Sequence, residues 1–189
     1  GSSAPWGHAY RGGPLPIIPK EGAACSFITA AGDLIMAAAM LSRLSGSEAP
    51  GLWARRLAQR YDDMRDPRTG LGALQFSHVE PCRVRQSLRS PWRDRPDVNE
   101  VTALTRGGID ARYGMAAVAF LGLYEDLGPD DGRPYLDLAV RDLLALAEHS
   151  YDPSEGVFRC MLLSGERLTS EDVVPGAGYL LPADLDPVP

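Results

Sequence analysis

Lysine and asparagine are nearly missing from this 189-residue chain: Lys20 and Asn99 are the only ones. A GC-rich coding sequence depletes both sets of codons and accounts for the bias. Every positive side chain but one is therefore a guanidinium, the group best shaped for bidentate contact with a carboxylate. Cysteine is scarce too. Cys25, Cys82 and Cys160 are widely spaced with no CxxC pair, which excludes a disulfide framework and a cysteine-based zinc site and leaves buried free thiols as the expectation. No run of 18 apolar residues occurs, so no membrane span is expected. The opening GSSAPWGHAY lacks a charged region followed by an apolar one, so no signal peptide is visible and the compartment stays open. The net charge of -6 disfavours nucleic acid or an anionic membrane as partner.

What is present suits one ordinary globular domain: 44% hydrophobic and 23% charged residues. Residues 1–24 are rich in Gly and Pro and read as an extended arm. Trp6, His8 and Tyr10 on that arm either line a sugar cleft or pin the arm to the core. From 27 to 44, Leu34, Ile35, Ala38, Leu41 and Leu44 recur at helical spacing. The many alanines there predict close approach to another helix. Asp33 sits in this run, as a buried acid or on the opposite face. A second helix is predicted from about Leu52 to Met64, with Trp53, Leu57, Tyr61 and Met64 as its stripe, ending in DPRTG.

LGALQFSHVE reads as a short extended segment with His78 near its end. Residues 81–98 form a loop in which Arg83, Arg85, Arg89, Arg93 and Arg95 face only Asp94 and Asp97. That loop either binds an anionic substrate or is laced by internal ion pairs. Helices are predicted from about Ile109 to Leu127 and from Pro134 to His149, where a C-terminal histidine suits the helix dipole. A turn, a hairpin-like piece returning after Ser164–Gly165, and a proline-rich tail follow.

The two halves repeat. Met36 opens MAAA and Met115 opens MAAV; Asp66 opens DPRTGL and Asp152 opens DPSEGV. Residues 36 and 115 are 79 apart and residues 66 and 152 are 86 apart, so the second copy has the longer inter-helix loop. The predicted fold is mainly α: repeated helix pairs of an α/α, toroid-like array with short extended segments. Helix pair one spans about 27–66, a loop 67–108, helix pair two about 109–150 and an extended tail 151–189, as a single α/α domain or a partial toroid. Two pairs do not close a toroid, so either a homo-oligomer or a remainder of a longer chain is expected to complete it.

One stretch joins the two copies: PDVNEVTALTRGGIDARYGMAAVAFLGL, residues 96–123. Asn99, Glu100, Arg106, Arg112 and Tyr113 pass from polar loop onto the start of an apolar helix. Asn99 is equally suited to a turn or N-cap, Tyr113 to the core and Arg112 to a surface ion pair.

The repeat, with DPRTGLGALQF after the second helix and VNEVTALTRGGIDARYG before the third, resembles bacterial polysaccharide lyases of the α/α-toroid kind, nearest to pectate-lyase-like proteins. The resemblance covers most of residues 20–180. It implies β-elimination on an acidic, uronate-containing glycan. Such an enzyme neutralises a carboxylate, removes the neighbouring proton and protonates the leaving oxygen. The resemblance implies Asn99 and Arg106 as neutralisers, with Tyr113 and His78 as base and acid. Arg112 would hold a carboxylate, and Glu100 would orient Asn99 or bind metal. A divalent metal is a candidate cofactor, with His8, His78, His149 and Glu100 as available ligands. Two alternatives share the architecture. One is a glycoside hydrolase using two of Asp33, Glu100 and Asp110; the other is a non-catalytic domain that binds sugar or a partner.

Overall fold

The computed structural model describes residues 31–63, 65–72, 83–99 and 102–189. Two helix pairs make the mainly α body: α1 (Ala31–Ser45) with α2 (Glu48–Asp63), and α3 (Ala116–Asp131) with α4 (Arg133–His149). The pairs meet through α1 and α3. Small residues permit this approach, since a Cβ on Gly32 would lie 3.1 Å from the Ala116 Cα. The shared core takes Ile35, Ala38 and Ala39 from α1, Leu57 and Tyr61 from α2, Phe120 and Leu123 from α3, and Leu138 and Ala139 from α4. Phe120 meets Tyr61 edge-on with ring centroids 5.1 Å apart.

The buried face of α1 differs from the expected stripe. Ile35 and Ala38 point inward, whereas Leu34, Leu41 and Leu44 are exposed. Met115 and Val118 also point outward. Close helix–helix contact selects the alanine face rather than the leucine face, because only small side chains let the backbones approach. Gly128 (φ 82) breaks α3 and, with Gly132, turns the chain sharply into α4.

The repeated DPxxG segments fold alike. Gly70 N–H donates to the Asp66 carbonyl and Gly156 N–H to the Asp152 carbonyl, both at 2.8 Å. The two glycines have φ 72 and 70, a left-handed conformation that disfavours a Cβ. Arg65 bridges Gly72 antiparallel, and Tyr151 pairs with Phe158 in the same way 86 residues on. Tyr151–Asp152 and Val157–Phe158 are β2 and β3.

The chain returns after Ser164–Gly165 as expected, with Met161 bridging Arg167. Its strand β4 (Met161–Leu162), however, pairs with β1 (Ala103–Leu104) in the loop between the helix pairs. That long-range pairing buries Leu104, Leu162, Leu168, Val173, Leu180 and Leu185 in a second core with Leu71, Val84 and Leu88. The tail docks by two main-chain bonds, Val174 N–H to the Ser87 carbonyl and Arg89 N–H to the Asp172 carbonyl, and by Leu180 N–H to the Ser87 side-chain Oγ. Among the described residues no helix is long and apolar enough to cross a membrane.

Candidate functional site

Between β1 and α3 the backbone makes one helical turn, Arg106–Gly108, and then a seven-residue π-helix, Ile109–Met115. The wider π turn inserts an extra residue and re-aims the side chains it carries. Here it swings both Arg112 and Tyr113 inward; they are 0% and 1% exposed.

Arg112 lies flat on Tyr61 of α2, its Cζ 3.7 Å from the ring centroid, with the Tyr113 ring at 5.3 Å. The edge of the guanidinium abuts Gly72. A Cβ there would fall 2.0 Å from Nη2 and 2.9 Å from Cζ. Among the described residues none of Nε, Nη1 and Nη2 has a hydrogen-bond partner. A buried cation with five idle N–H donors is costly unless an anion meets it.

The neighbouring groups are more fully engaged, although among the described residues Arg65 Nη2 and Asp142 Oδ1 also lack a hydrogen bond. Tyr61 Oη donates to Asp142 Oδ2 at 2.7 Å. Asp142, 0% exposed on α4, also pairs through Oδ1 with Arg65 Nη1 at 2.5 Å. Arg65 Nε donates to Asp62 at 2.8 Å, and Asp62 accepts from Arg141 at 2.9 Å. Burial pulls the Arg65 pKa down, but Asp142 and Asp62 outweigh it and raise it. Among the described residues Arg65 is thus paired with both Asp142 and Asp62, whereas Arg112 has no ion-pair partner.

Tyr113 Oη accepts from the Gly72 N–H at 2.8 Å and donates toward the Gly72 carbonyl at 3.4 Å. Burial raises its pKa, with Arg112 opposing. At neutral pH the phenol is protonated and serves as a donor.

The remaining sequence candidates fall elsewhere. Asn99 caps a turn: its carbonyl accepts from Thr102 and Ala103 N–H, and its own N–H donates to Thr102 Oγ1. Arg106 is exposed on the turn before the π-helix, near enough to Cys160 to act on its charge. Arg85 donates to the Pro96 carbonyl at 3.2 Å and Arg89 to the Glu171 carbonyl at 3.0 Å. Arg95 forks between Asp97 and Glu166. Of the loop's described arginine side chains, Arg95 is thus ion-paired, and Arg85 and Arg89 are bonded to main-chain carbonyls. Trp6, His8, Tyr10, His78 and Glu100 lie outside the described residues, as does the side chain of Arg83. Asp33 and Asp110 are exposed. Cys160 is buried as expected, its thiol pushed up to about 12 chiefly by desolvation.

Tyr61, Arg65, Gly72 and Asp142 were not singled out by sequence. Asp142 carried a signal: it shares helical spacing with Leu138, Ala139, Ala145 and Leu146, all buried. An acid on the apolar face of a helix needs a buried partner. Gly72 carried none, because its cradle exists only once α2 and the π-helix face one another.

Among the described residues no group of three or more His, Cys, Asp or Glu side chains comes together as a metal site would require. His149 closes α4. A family model described as periplasmic pectate lyase matches residues 2–184, nearly the whole chain.

Proposed function

The chain belongs to the periplasmic pectate lyase family, and from that premise we propose that it cleaves an acidic, uronate-containing glycan of the pectate kind by β-elimination. In that reaction a base takes the C5 proton beside the carboxylate. The electron pair forms the C4=C5 double bond, the C4–O4 bond breaks, and the leaving sugar oxygen takes up a proton. The proton is acidic enough to remove only when the carboxylate charge is neutralised.

One observation carries the reading: Arg112, a buried guanidinium without a hydrogen-bond partner among the described residues, stacked on Tyr61. A uronate carboxylate is planar and accepts two parallel N–H bonds, which matches the fork. Arg112 has no exposed surface, so this reading requires Gly72, which packs against the guanidinium edge, to give way to the carboxylate. Tyr113, one residue on and held protonated by burial, is the proton donor to the leaving oxygen in this reading. His78, the other candidate, is then the base.

Incubation with polygalacturonate, with and without added divalent metal, tests the proposal. Ultraviolet absorbance from the unsaturated product is expected. New reducing ends without that absorbance would make the protein a hydrolase, and neither product would leave a binding domain.

A further inference from the structure

We infer that Asp142 and Tyr61 form a positioning device for Arg112, and that Arg65 keeps the donors of Arg112 open by occupying Asp142. This rests on the carboxylate reading of Arg112 above.

Arg65 pairs with the fully buried carboxylate of Asp142, and Arg112 is stacked on Tyr61, whose hydroxyl donates to that same carboxylate. Both guanidiniums lie over the same Tyr61 ring, Arg65 Cζ at 5.8 Å and Arg112 Cζ at 3.7 Å from its centroid. Asp142 is nonetheless spent on Arg65 and on the Tyr61 hydroxyl. Arg65 is itself fixed from the other side by Asp62, which Arg141 holds in turn. The hydroxyl bond to a carboxylate enriches the Tyr61 ring in electron density and strengthens its face as a seat for a cation. Arg112 is thus held by a ring face, which blocks none of its N–H donors, instead of by a carboxylate, which would consume them. Gly72 completes the seat by lacking the Cβ that would displace the fork. Nothing in this arrangement places Asp142, Arg65 or Tyr61 against substrate; each acts through Arg112.

The test compares turnover of de-esterified and methyl-esterified polygalacturonate. The ratio of their kcat/KM values reads carboxylate recognition, and loss of fold alone leaves it unmoved. Arg112→Met is expected to collapse the ratio, which establishes the underlying reading; an unchanged ratio for that variant would refute the reading itself. Arg65→Met frees Asp142 to pair with Arg112 and is expected to raise KM for the de-esterified polymer about tenfold, the loss of one hydrogen bond to a charged group. Its kcat is expected to change less. Tyr61→Phe keeps the ring and removes only the hydroxyl, and in the folded fraction, checked by circular dichroism, it should lower the ratio in the same direction by a smaller factor. Asp142→Asn keeps an acceptor for Tyr61 and deletes the charge; its ratio should fall between these two. If Arg112→Met collapses the ratio while Arg65→Met and Tyr61→Phe leave it within twofold, the positioning device is refuted and the reading of Arg112 stands.

Discussion

The Arg112 guanidinium packs so closely on Gly72 that a Cβ at residue 72 would fall 2.0 Å from its Nη2. No other residue fits that position while Arg112 keeps its place on Tyr61. Gly72→Ala is therefore expected to drive the fork off the ring. A cost of about 1–3 kcal/mol is expected from overpacking, with a larger proportional loss of turnover than of stability. Thermal melting alongside steady-state kinetics on polygalacturonate checks this. Unchanged kinetics in the folded variant would refute the seat.

Removing Arg112 should separate function from stability. A buried cation without an anion destabilises the fold, and an apolar side chain of similar length relieves that burden. Arg112→Met is expected to raise the melting temperature, by an amount on the order of 1 kcal/mol of added stability, while lowering turnover of the de-esterified polymer to the level of the methyl-esterified one. A variant that melts well below the parent would show that the guanidinium has a stabilising partner.

Tyr113 gives a pH dependence on the alkaline side. Burial raises its pKa above the ordinary value of 10.0. The folded state thus holds its proton longer than the unfolded chain does. Its contribution to stability is complete below about pH 10 and is lost as pH climbs toward the folded pKa. Melting scans should show Tyr113→Phe losing less stability than the parent above pH 10 and behaving alike below it. Parallel curves throughout would exclude the burial effect.

The twin turns should respond alike to the same change. Gly70 and Gly156 have φ 72 and 70. An alanine at either is expected to cost about 1–2 kcal/mol from the left-handed backbone alone. Neither site adds a clash, since a Gly70 Cβ would sit in ordinary contact 3.4 Å from the Ala145 Cβ and nothing lies within 4 Å of Gly156, so the two costs should match. Chemical denaturation of the two variants measures the pair. A difference above that range would show that the turns are not equivalent.

The acid side of the second turn offers a further reading. The Ser154 hydroxyl foremost, with Arg159 assisting, holds the Asp152 carboxyl down to about 2. That contribution is present above the ordinary carboxylate value and disappears as pH falls toward 2. In proton-coupled NMR titration, Ser154→Ala should move the Asp152 midpoint upward; a stationary midpoint would remove Ser154 as the cause.

Helix pairs, their repeat and the loops between them were legible in the chain because helical spacing, DPxxG stops and Gly–Pro turns are local signals. The buried faces were less so. The alternation of Leu and Ala along α1 is compatible with either face inward, and contact with α3 chose the alanines. The chain also showed that residues 96–123 join the two copies and deliver Arg112 and Tyr113 at the start of a helix. It did not show that a π turn rotates both into the core, since one inserted residue leaves no mark in composition or period.

By itself, then, the sequence determined what repeats, where each helix stops and which charges are available, because these depend on near neighbours. Only the tertiary structure decided which charges are answered. Asp142 comes from α4, Tyr61 from α2, Arg65 and Gly72 from the first turn, and Arg112 from the π-helix. Their balance is a property of distances across the fold, which the order of residues along the chain does not display.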